Sequence, residues 1–142
     1  MNQAELAYAA GFIDGEGCIH IAKQQQPRRP RPTYRARLTV AQSHREALER
    51  LRDILGAPAY LGKVRRTVQQ NRQAYVLVYD GRHAGEVLAK VLPHLFIKSI
   101  EAQVLLEYFE VCDVRVHPGP KGHDAGIWKA REYYYKKLQR LK

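Results

Sequence analysis

An alanine- and glycine-rich helix, followed by an acidic turn, narrows the folds open to this chain more than any other segment. The residues from Glu5 to Ile13 are rich in alanine and leucine, which favour a helix. The small residues of this segment recur every four positions along one face: Ala7, Gly11 and Gly15. Glycine inside a helix costs about 1 kcal/mol relative to alanine, so this spacing indicates that another backbone comes unusually close.

The predicted helix ends in two acids separated by a glycine. Asp14 and Glu16 lie where Gly15 and Gly17 are expected to break the helix. Their carboxylates therefore stand beside main-chain carbonyls that lack helical partners. Oxygen groups collected at a turn suit a hard divalent cation such as Mg2+. An ordinary amphipathic helix that happens to end in these residues is the alternative, and it predicts no close-packed glycine face.

Residues 9–17 resemble the LAGLIDADG signature of homing endonucleases. Five of its nine positions are identical: Ala10, Gly11, Ile13, Asp14 and Gly17. The signature occurs once in the chain, and single-signature members of this family pair as homodimers through the signature helix. The resemblance therefore implies a homodimer, with these residues in its interface: Ala7, Gly11, Asp14 and Gly15.

The charge balance predicts a polyanionic partner. The 142 residues include 24 Lys and Arg against 14 Asp and Glu, giving a formal net charge of +10 and an isoelectric point near 9.8. Double-stranded DNA is the first candidate. A membrane surface is the weaker one, because no helix sets a basic face against a broad apolar face that the core does not need. A basic protein with a solvated charged surface would have the same composition.

The chain is long enough for one domain of ordinary size. We expect a single endonuclease domain over residues 1–142, with its core at about 4–112 and a C-terminal loop and basic helix at 113–142. Cys18 and Cys112 have no CxxC spacing and predict reduced thiols. No run of roughly 20 apolar residues occurs, and we expect no secretory signal. We expect an intracellular location: bacterial or phage-infected cytoplasm, or an organelle.

The element order predicts an α+β fold. Helix, strand, strand, helix, strand, strand and further helices follow one another, which favours an antiparallel sheet with helices on one face. The resemblance implies the same αββαββα order with a saddle-shaped sheet. Alternation within 18–24 and 33–40 predicts that Ile19, Ile21, Ala36, Leu38 and Val40 face inward. Within 60–69 we expect Val64 and Val68 to face inward.

The helices after the first strand pair have recognisable boundaries. Ser43 and Glu46 have the spacing of a capping box, and Gly56 predicts the end of that helix. Two helices are predicted at 83–92 and 97–112, with Ile97, Ile100 and Val111 among the inward residues of the second. Asp124 is a candidate cap for the last helix.

The outward residues of the strands are the predicted DNA contacts. Arginine and glutamine can read guanine and adenine edges, and a two-stranded ribbon fits a major groove. Some of these residues will touch only phosphate. The predicted set comprises His20, Gln24, Arg35, Arg37, Lys63, Arg65 and Gln69, with Arg28, Arg29 and Arg31 from the proline-rich loop at 25–32.

The resemblance also implies catalytic roles. Glu16 matches the family's metal-binding acid, with the Gly15 carbonyl as a helper, and Asp14 matches an acid that caps and locks the dimer interface. Gln42 matches a polar residue that orients water, although a plain helix-entry residue would look the same. Lys98 matches a lysine that approaches the scissile phosphate. A surface lysine is the alternative there, but helix N-termini favour acids.

The function implied is that of a site-specific homing endonuclease. Such an enzyme makes double-strand breaks in a long, nearly palindromic DNA target by metal-dependent hydrolysis, using Mg2+, with Mn2+ as a substitute and Ca2+ binding without cleavage. One alternative is a catalytically silent protein of the same fold, either a maturase that binds intron RNA or a regulator. Another is a basic nucleic-acid-binding protein without site preference. Intron and intein origins stay equally open.

Overall fold

The computed structural model describes residues 2–28, 30–65, 72–112 and 125–142. Their helices and strands, in chain order, are α1 Gln3–Glu16, β1 Gly17–Gln24, β2 Thr33–Gln42, α2 Arg45–Leu55, β3 Tyr60–Lys63, β4 Tyr75–Asp80, α3 Arg82–Val91, α4 Ser99–Cys112 and α5 Ala125–Arg140. The strands form one antiparallel sheet in the order β1-β2-β4-β3. The predicted α+β fold is confirmed. Across the described ranges, no helix has the length and apolar character needed to cross a membrane.

The core lies between the helices and one face of the sheet. Ile19 of β1 pairs with Leu38 of β2, and both are fully buried. Ile21, Ala36 and Val40 share this face, so the predicted alternation of β1 and β2 is confirmed. We call the opposite surface the open face. It carries Cys18, His20, Ala22, Gln24, Thr33, Arg35, Arg37, Thr39, Val76, Val78 and Asp80.

The faces of β3 are the reverse of those expected. Leu61 pairs with the buried Leu77 of β4 and packs against the core, and Lys63 follows at the same parity, opposite Tyr75. Val64 continues the pairing through its N–H to the Ala74 carbonyl, so it belongs to the side of the open face. The prediction that Val64 faces inward and Lys63 outward was wrong, because the register with β4 decides the faces of this short strand.

Helix α1 runs through Gly15 instead of breaking there. It starts with a capping box between Asn2 and Glu5 and ends at Glu16, and the N–H of the following Gly17 donates to the Ile13 carbonyl. A Cβ atom at Gly17 would lie 2.7 Å from that carbonyl oxygen, so glycine is needed there for close approach. Gly11 and Gly15 have nothing within 4 Å of an added Cβ atom. The bare face predicted for this helix is therefore open in the single chain.

Two helix starts differ from their predicted positions. His44, not Ser43, caps α2, because its Nδ1 accepts from the Ala47 N–H. Helix α4 begins at Ser99, so Ile97 lies outside it. Ile97, Ile100 and Val111 are 68%, 61% and 56% exposed, which corrects the expectation that they face inward.

The C-terminal helix is built into the core. Tyr134 and Leu138 are buried, and the Tyr134 hydroxyl donates to Glu107 of α4. Glu132 accepts a hydrogen bond from the hydroxyl of the buried Tyr34 and forms an ion pair with Lys23 at 3.0 Å. These contacts fasten α5 across β1 and β2. The predicted cap Asp124 lies outside the described residues.

Replacing Glu132 with glutamine is expected to loosen this attachment. Burial alone would raise the pKa of Glu132, but the hydrogen bonds from Tyr34 and Lys23 outweigh it and lower the pKa. The carboxylate therefore stabilises the fold above its unfolded pKa near 4.5, and this contribution is lost as the pH falls through the folded value. Charge-assisted bonds of this kind contribute about 1–2 kcal/mol. Chemical denaturation at pH 7 should show that loss in E132Q.

The matched control is Glu110→Gln on the exposed side of α4. Within the described ranges, the side chain of Glu110 has neither a hydrogen bond nor an ion pair, so E110Q should unfold like the wild type. The difference between E132Q and wild type should shrink as the pH is lowered toward 3. Equal stability of E132Q and wild type at pH 7 would contradict the proposed role of this contact.

Candidate active site and nucleic-acid interface

The carboxylate of Asp14 ties the end of α1 to the loop before α4. Its two oxygens accept hydrogen bonds from the backbone N–H groups of Phe96 and Lys98, at 2.9 and 3.0 Å. N–H groups at the start of a helix lack partners within it, and an acid there also meets the positive end of the helix dipole. Asp14 therefore caps α4 within one chain. Its predicted place in a dimer interface stays a prediction.

Lys98 reaches back to the same end of α1. Its Nζ donates to the main-chain carbonyl of Asp14 at 2.7 Å. Carbonyls in the last turn of a helix lack helical partners, and a cation stabilises the negative end of the helix dipole. The ammonium is thereby held at a point two residues before Glu16 in the chain. Lys98 is not the free surface lysine that was the alternative interpretation.

Glu16 is the last residue of α1 and is exposed. Within residues 2–28, 30–65, 72–112 and 125–142, its carboxylate has no hydrogen-bond or ion-pair partner. Gly15, immediately before it, is exposed as well. A carboxylate and a main-chain carbonyl at an exposed helix end are oxygen donors, the ligands that Mg2+ prefers. The donor chemistry thus fits the predicted metal-binding role.

Gln42 lies at the same end of the sheet as Glu16. Gly17, which follows Glu16, pairs with Val40, and Gln42 is two residues beyond Val40 at the end of β2. The side-chain oxygen of Gln42 accepts from the N–H of Ser43 at 2.8 Å and from its hydroxyl at 3.2 Å. These bonds hold the amide at the sheet end. The helices and strands therefore bring Glu16, Lys98 and Gln42 toward one region. Along the chain, Gln42 is 26 positions from Glu16 and 56 positions from Lys98.

Two arginines of the open face share one carboxylate. Arg37 donates from Nε to Asp80 Oδ1 at 2.9 Å, and Arg35 donates from Nη1 to Asp80 Oδ2 at 3.0 Å. Arg37 is the cross-strand partner of both His20 and Asp80. The predicted contacts His20, Arg35 and Arg37 thus stand next to one another on β1 and β2.

His20 is a neutral member of this face at neutral pH. Partial burial is the largest cause and lowers its pKa, and the ammonium of Lys142 and the guanidinium of Arg37 lower it further, against opposing effects of the Cys18 backbone and Asp80. Its Nδ1 lies 3.7 Å from the Cys18 thiol, and Lys142 donates to that thiol at 3.5 Å. A neutral imidazole can both donate and accept hydrogen bonds at a base edge.

The other predicted contacts are scattered. Gln24 and Arg28 are exposed at the end of β1 and in the loop after it, whereas the Arg31 guanidinium lies over the Trp128 ring of α5 at 6.0 Å. Arg65 is exposed just beyond β3, and Lys63 is exposed at the strand end despite its parity with Leu61. Arg29 and Gln69 lie outside the described residues.

Asp80 is the residue of this surface that sequence reasoning missed. It precedes Gly81, and an Asp-Gly pair predicts a turn at the end of the strand. The apolar run Val76, Leu77 and Val78 also hid the alternation of β4. The buried Leu77 and Tyr79 show that Asp80 belongs to the opposite face.

Comparison with known proteins places the chain in a family. The family model described as LAGLIDADG endonuclease matches residues 9–114. No curated protein matched the chain in sequence.

Solved structures share the fold at low sequence identity. The homing endonuclease I-CvuI, in complex with its target in the presence of Ca, superposes with a TM-score of 0.78 at 21% identity, covering 99% of this chain and 83% of that one. I-CvuI in complex with an I-CreI target in the presence of Mg, with the DNA not cleaved, gives 0.75 at 23% identity and the same coverages. Meganuclease I-SmaMI bound to uncleaveable DNA gives 0.61 at 14% identity, covering 96% of this chain and 43% of that one. The family model spans well over half of the chain, and the chain belongs to the LAGLIDADG endonuclease family.

Proposed function

We propose that two copies of this chain form a site-specific endonuclease that makes double-strand breaks in a long, nearly palindromic DNA target by metal-dependent hydrolysis. The observation that carries the proposal is the placement of Lys98. Its ammonium is held on the last turn of α1, two residues before Glu16, whose carboxylate has no partner among the described residues. Phosphodiester cleavage requires stabilisation of developing negative charge and an activated water. A cation and a free carboxylate at one helix end are suited to those two tasks.

Glu16 and the Gly15 carbonyl would hold the metal ion. Among the described residues, no three His, Cys, Asp or Glu side chains gather into a metal-binding group, so Glu16 would need ligands from elsewhere. The remaining ligands would come from phosphate, water and the second copy. When bound, a divalent ion supplies Lewis-acid stabilisation and lowers the pKa of a bound water. We expect Mg2+ to serve, Mn2+ to substitute, and Ca2+ to bind without supporting cleavage.

Three side chains would act around that ion. The Lys98 ammonium would approach the scissile phosphate and stabilise its added charge. The Gln42 amide, held at the sheet end by Ser43, would orient water. Asp14 would act only through its cap, which fixes the backbone of Lys98 beside α1.

The bare face of α1, which carries Gly11 and Gly15, supports pairing of two copies. Gly11 and Gly15 leave room for a second backbone, and several apolar side chains near the helix are exposed. Tyr8, Phe96, Ile97 and Ile100 are 43%, 88%, 68% and 61% exposed. Since Asp14 binds the backbone of Phe96 and Lys98, the exposed apolar residues before α4 adjoin α1. This chain also spans only 43% of I-SmaMI, as expected if two copies supply what that longer chain holds.

The open face of the sheet would meet the DNA. Its β1 and β2 strands carry His20, Arg35 and Arg37, and a two-stranded ribbon fits a major groove. I-CvuI binds DNA targets with the same fold. Two-fold symmetry of the protein would be mirrored in a near-palindromic target.

A randomised duplex library tests the proposal. Wild-type protein and the Glu16→Gln variant are incubated with the library and Mg2+, and both strands are sequenced at every break. Discrete, near-palindromic sites cut on both strands by the wild type alone are the expected result. Site-selective retention without breaks would indicate a maturase or regulator, and retention without selectivity would indicate a general nucleic-acid-binding protein. Either outcome would overturn the proposed activity.

A further inference from the structure

Asp80 occupies an unusual place for an acid. It is the last residue of β4, and its carboxylate lies on the open face between Arg35 and Arg37. The whole chain carries a net charge of +10, and this face holds the basic residues that the proposed function directs toward DNA. A carboxylate here repels phosphate, so it weakens general attraction to a nucleic acid.

Stability does not explain this carboxylate. The side chains of Arg35, Arg37 and Asp80 are 64%, 40% and 36% exposed, and ion pairs with that much solvent access contribute little to folding. Both arginines could remain solvated on the open face without an acid. The ion pairs therefore change where the guanidinium groups point more than how firmly the sheet is held.

The two ion pairs leave different donors free. Among the residues that the structure describes, Arg37 donates only through Nε and keeps both Nη groups available, whereas Arg35 donates through Nη1 and keeps Nε and Nη2. Arginine reads guanine by two parallel donors, and it binds phosphate with the same fork. A guanidinium already held by a carboxylate has less freedom to turn aside to the nearest phosphate.

The distance between Arg35 and Arg37 along β2 corresponds to a distance along DNA. Arg35 and Arg37 are two residues apart on β2, and a strand rises about 3.4 Å per residue. Two residues therefore span about 7 Å, which is about two base-pair steps along B-form DNA.

We infer that Asp80 is a positioning residue for DNA sequence recognition: it holds Arg35 and Arg37 toward base edges about two base pairs apart in each half-site. This inference rests on the proposed function. Asp80 itself would make no contact with the reacting phosphate. Asp80 would lower the general affinity of the protein for DNA and raise its discrimination between base pairs.

The test compares three full-length proteins: wild type, Asp80→Asn and Asp53→Asn. Asp53 lies on α2 with its side chain 75% exposed, so D53N removes the same charge away from the open face. Cleavage of all single-base variants of the preferred wild-type target is measured in Mg2+. Binding to that target and to random duplex is measured in Ca2+ over a range of salt concentrations. Thermal unfolding verifies that each variant is folded.

D80N is expected to lose at least about fivefold discrimination at one or two base positions per half-site, close to the lower limit for a bidentate arginine contact. Its affinity for random duplex should rise, and the plot of log affinity against log salt should steepen by about 0.9 for each additional phosphate that the protein neutralises. D53N should keep the wild-type profile.

An unchanged D80N profile, or an equal loss at every base position, would overturn the positioning role. A wild-type protein that selects no site would instead overturn the proposed function itself. The wild-type reference in the same experiment separates these two failures.

Discussion

Replacing Glu16 with glutamine is expected to abolish double-strand cleavage while leaving site-selective DNA binding intact. Glutamine has nearly the same shape but is a weaker ligand for a hard cation than a carboxylate. A metal ion contributes several kcal/mol to such a reaction, and each 1.4 kcal/mol corresponds to a factor of ten in rate. We therefore expect the cleavage rate to fall by about 10³-fold or more. Because Glu16 is exposed and unpartnered within the described residues, the fold should be unaffected.

The two effects are measured separately. Cleavage of a defined target is followed in Mg2+ and again in Mn2+, and binding is followed in Ca2+. Glu46→Gln on the exposed surface of α2 is the matched control, and it should cut like the wild type. An E16Q protein that still cleaves at more than about a tenth of the wild-type rate in Mg2+ would show that Glu16 is not the metal ligand.

Replacing Gly11 with leucine is expected to give a stable monomer that no longer cuts both strands. Nothing lies within 4 Å of an added Cβ atom at the exposed Gly11, so we expect one chain to accept the larger side chain. Glycine inside a helix costs about 1 kcal/mol, so the free energy of unfolding of the isolated chain should stay equal or rise. Two helices, however, could no longer approach through a glycine face. Sedimentation velocity should show a monomer, and double-strand cleavage should be lost.

Ala89→Leu is the control for added bulk. Ala89 is exposed on α3, so A89L places the same side chain on a helix surface away from α1. It should dimerise and cut like the wild type. If G11L remained dimeric and active, the bare face of α1 would not be the contact between copies.

The sequence predicted the faces of β1 and β2 correctly because their apolar residues alternate regularly. Ile19, Ile21, Leu38 and Val40 are separated by polar residues, and all four are buried. The same reasoning failed for β3, where the pairing of Leu61 with Leu77 places Lys63 and not Val64 on the side of the core. In such a short strand, tertiary pairing outweighs local pattern.

The start of α4 depends on a contact that no local pattern reveals. Periodicity placed Ile97 and Ile100 inside a helix with an inward face, but Asp14 binds the N–H groups of Phe96 and Lys98 across more than 80 positions. The helix begins at Ser99, immediately after the bound Lys98 N–H, and both Ile97 and Ile100 are exposed. The candidate site was recognisable because its residues follow a family signature. Asp80 belongs to no such signature. It lies beside Arg37 because β2 and β4 are neighbours in the sheet order β1-β2-β4-β3.

Mixed dimers of wild type and E16Q offer the sharpest test of a two-copy nuclease. The two chains carry different affinity tags, are co-expressed and are purified in tandem, so that each dimer holds one Glu16. Strand-resolved cleavage of a labelled target is then compared with that of the wild-type dimer. If each copy contributes an active site for one strand, double-strand breaks should disappear and any remaining cut should be a nick in one strand. Double-strand breaks made by the mixed dimer at the wild-type rate would contradict the account.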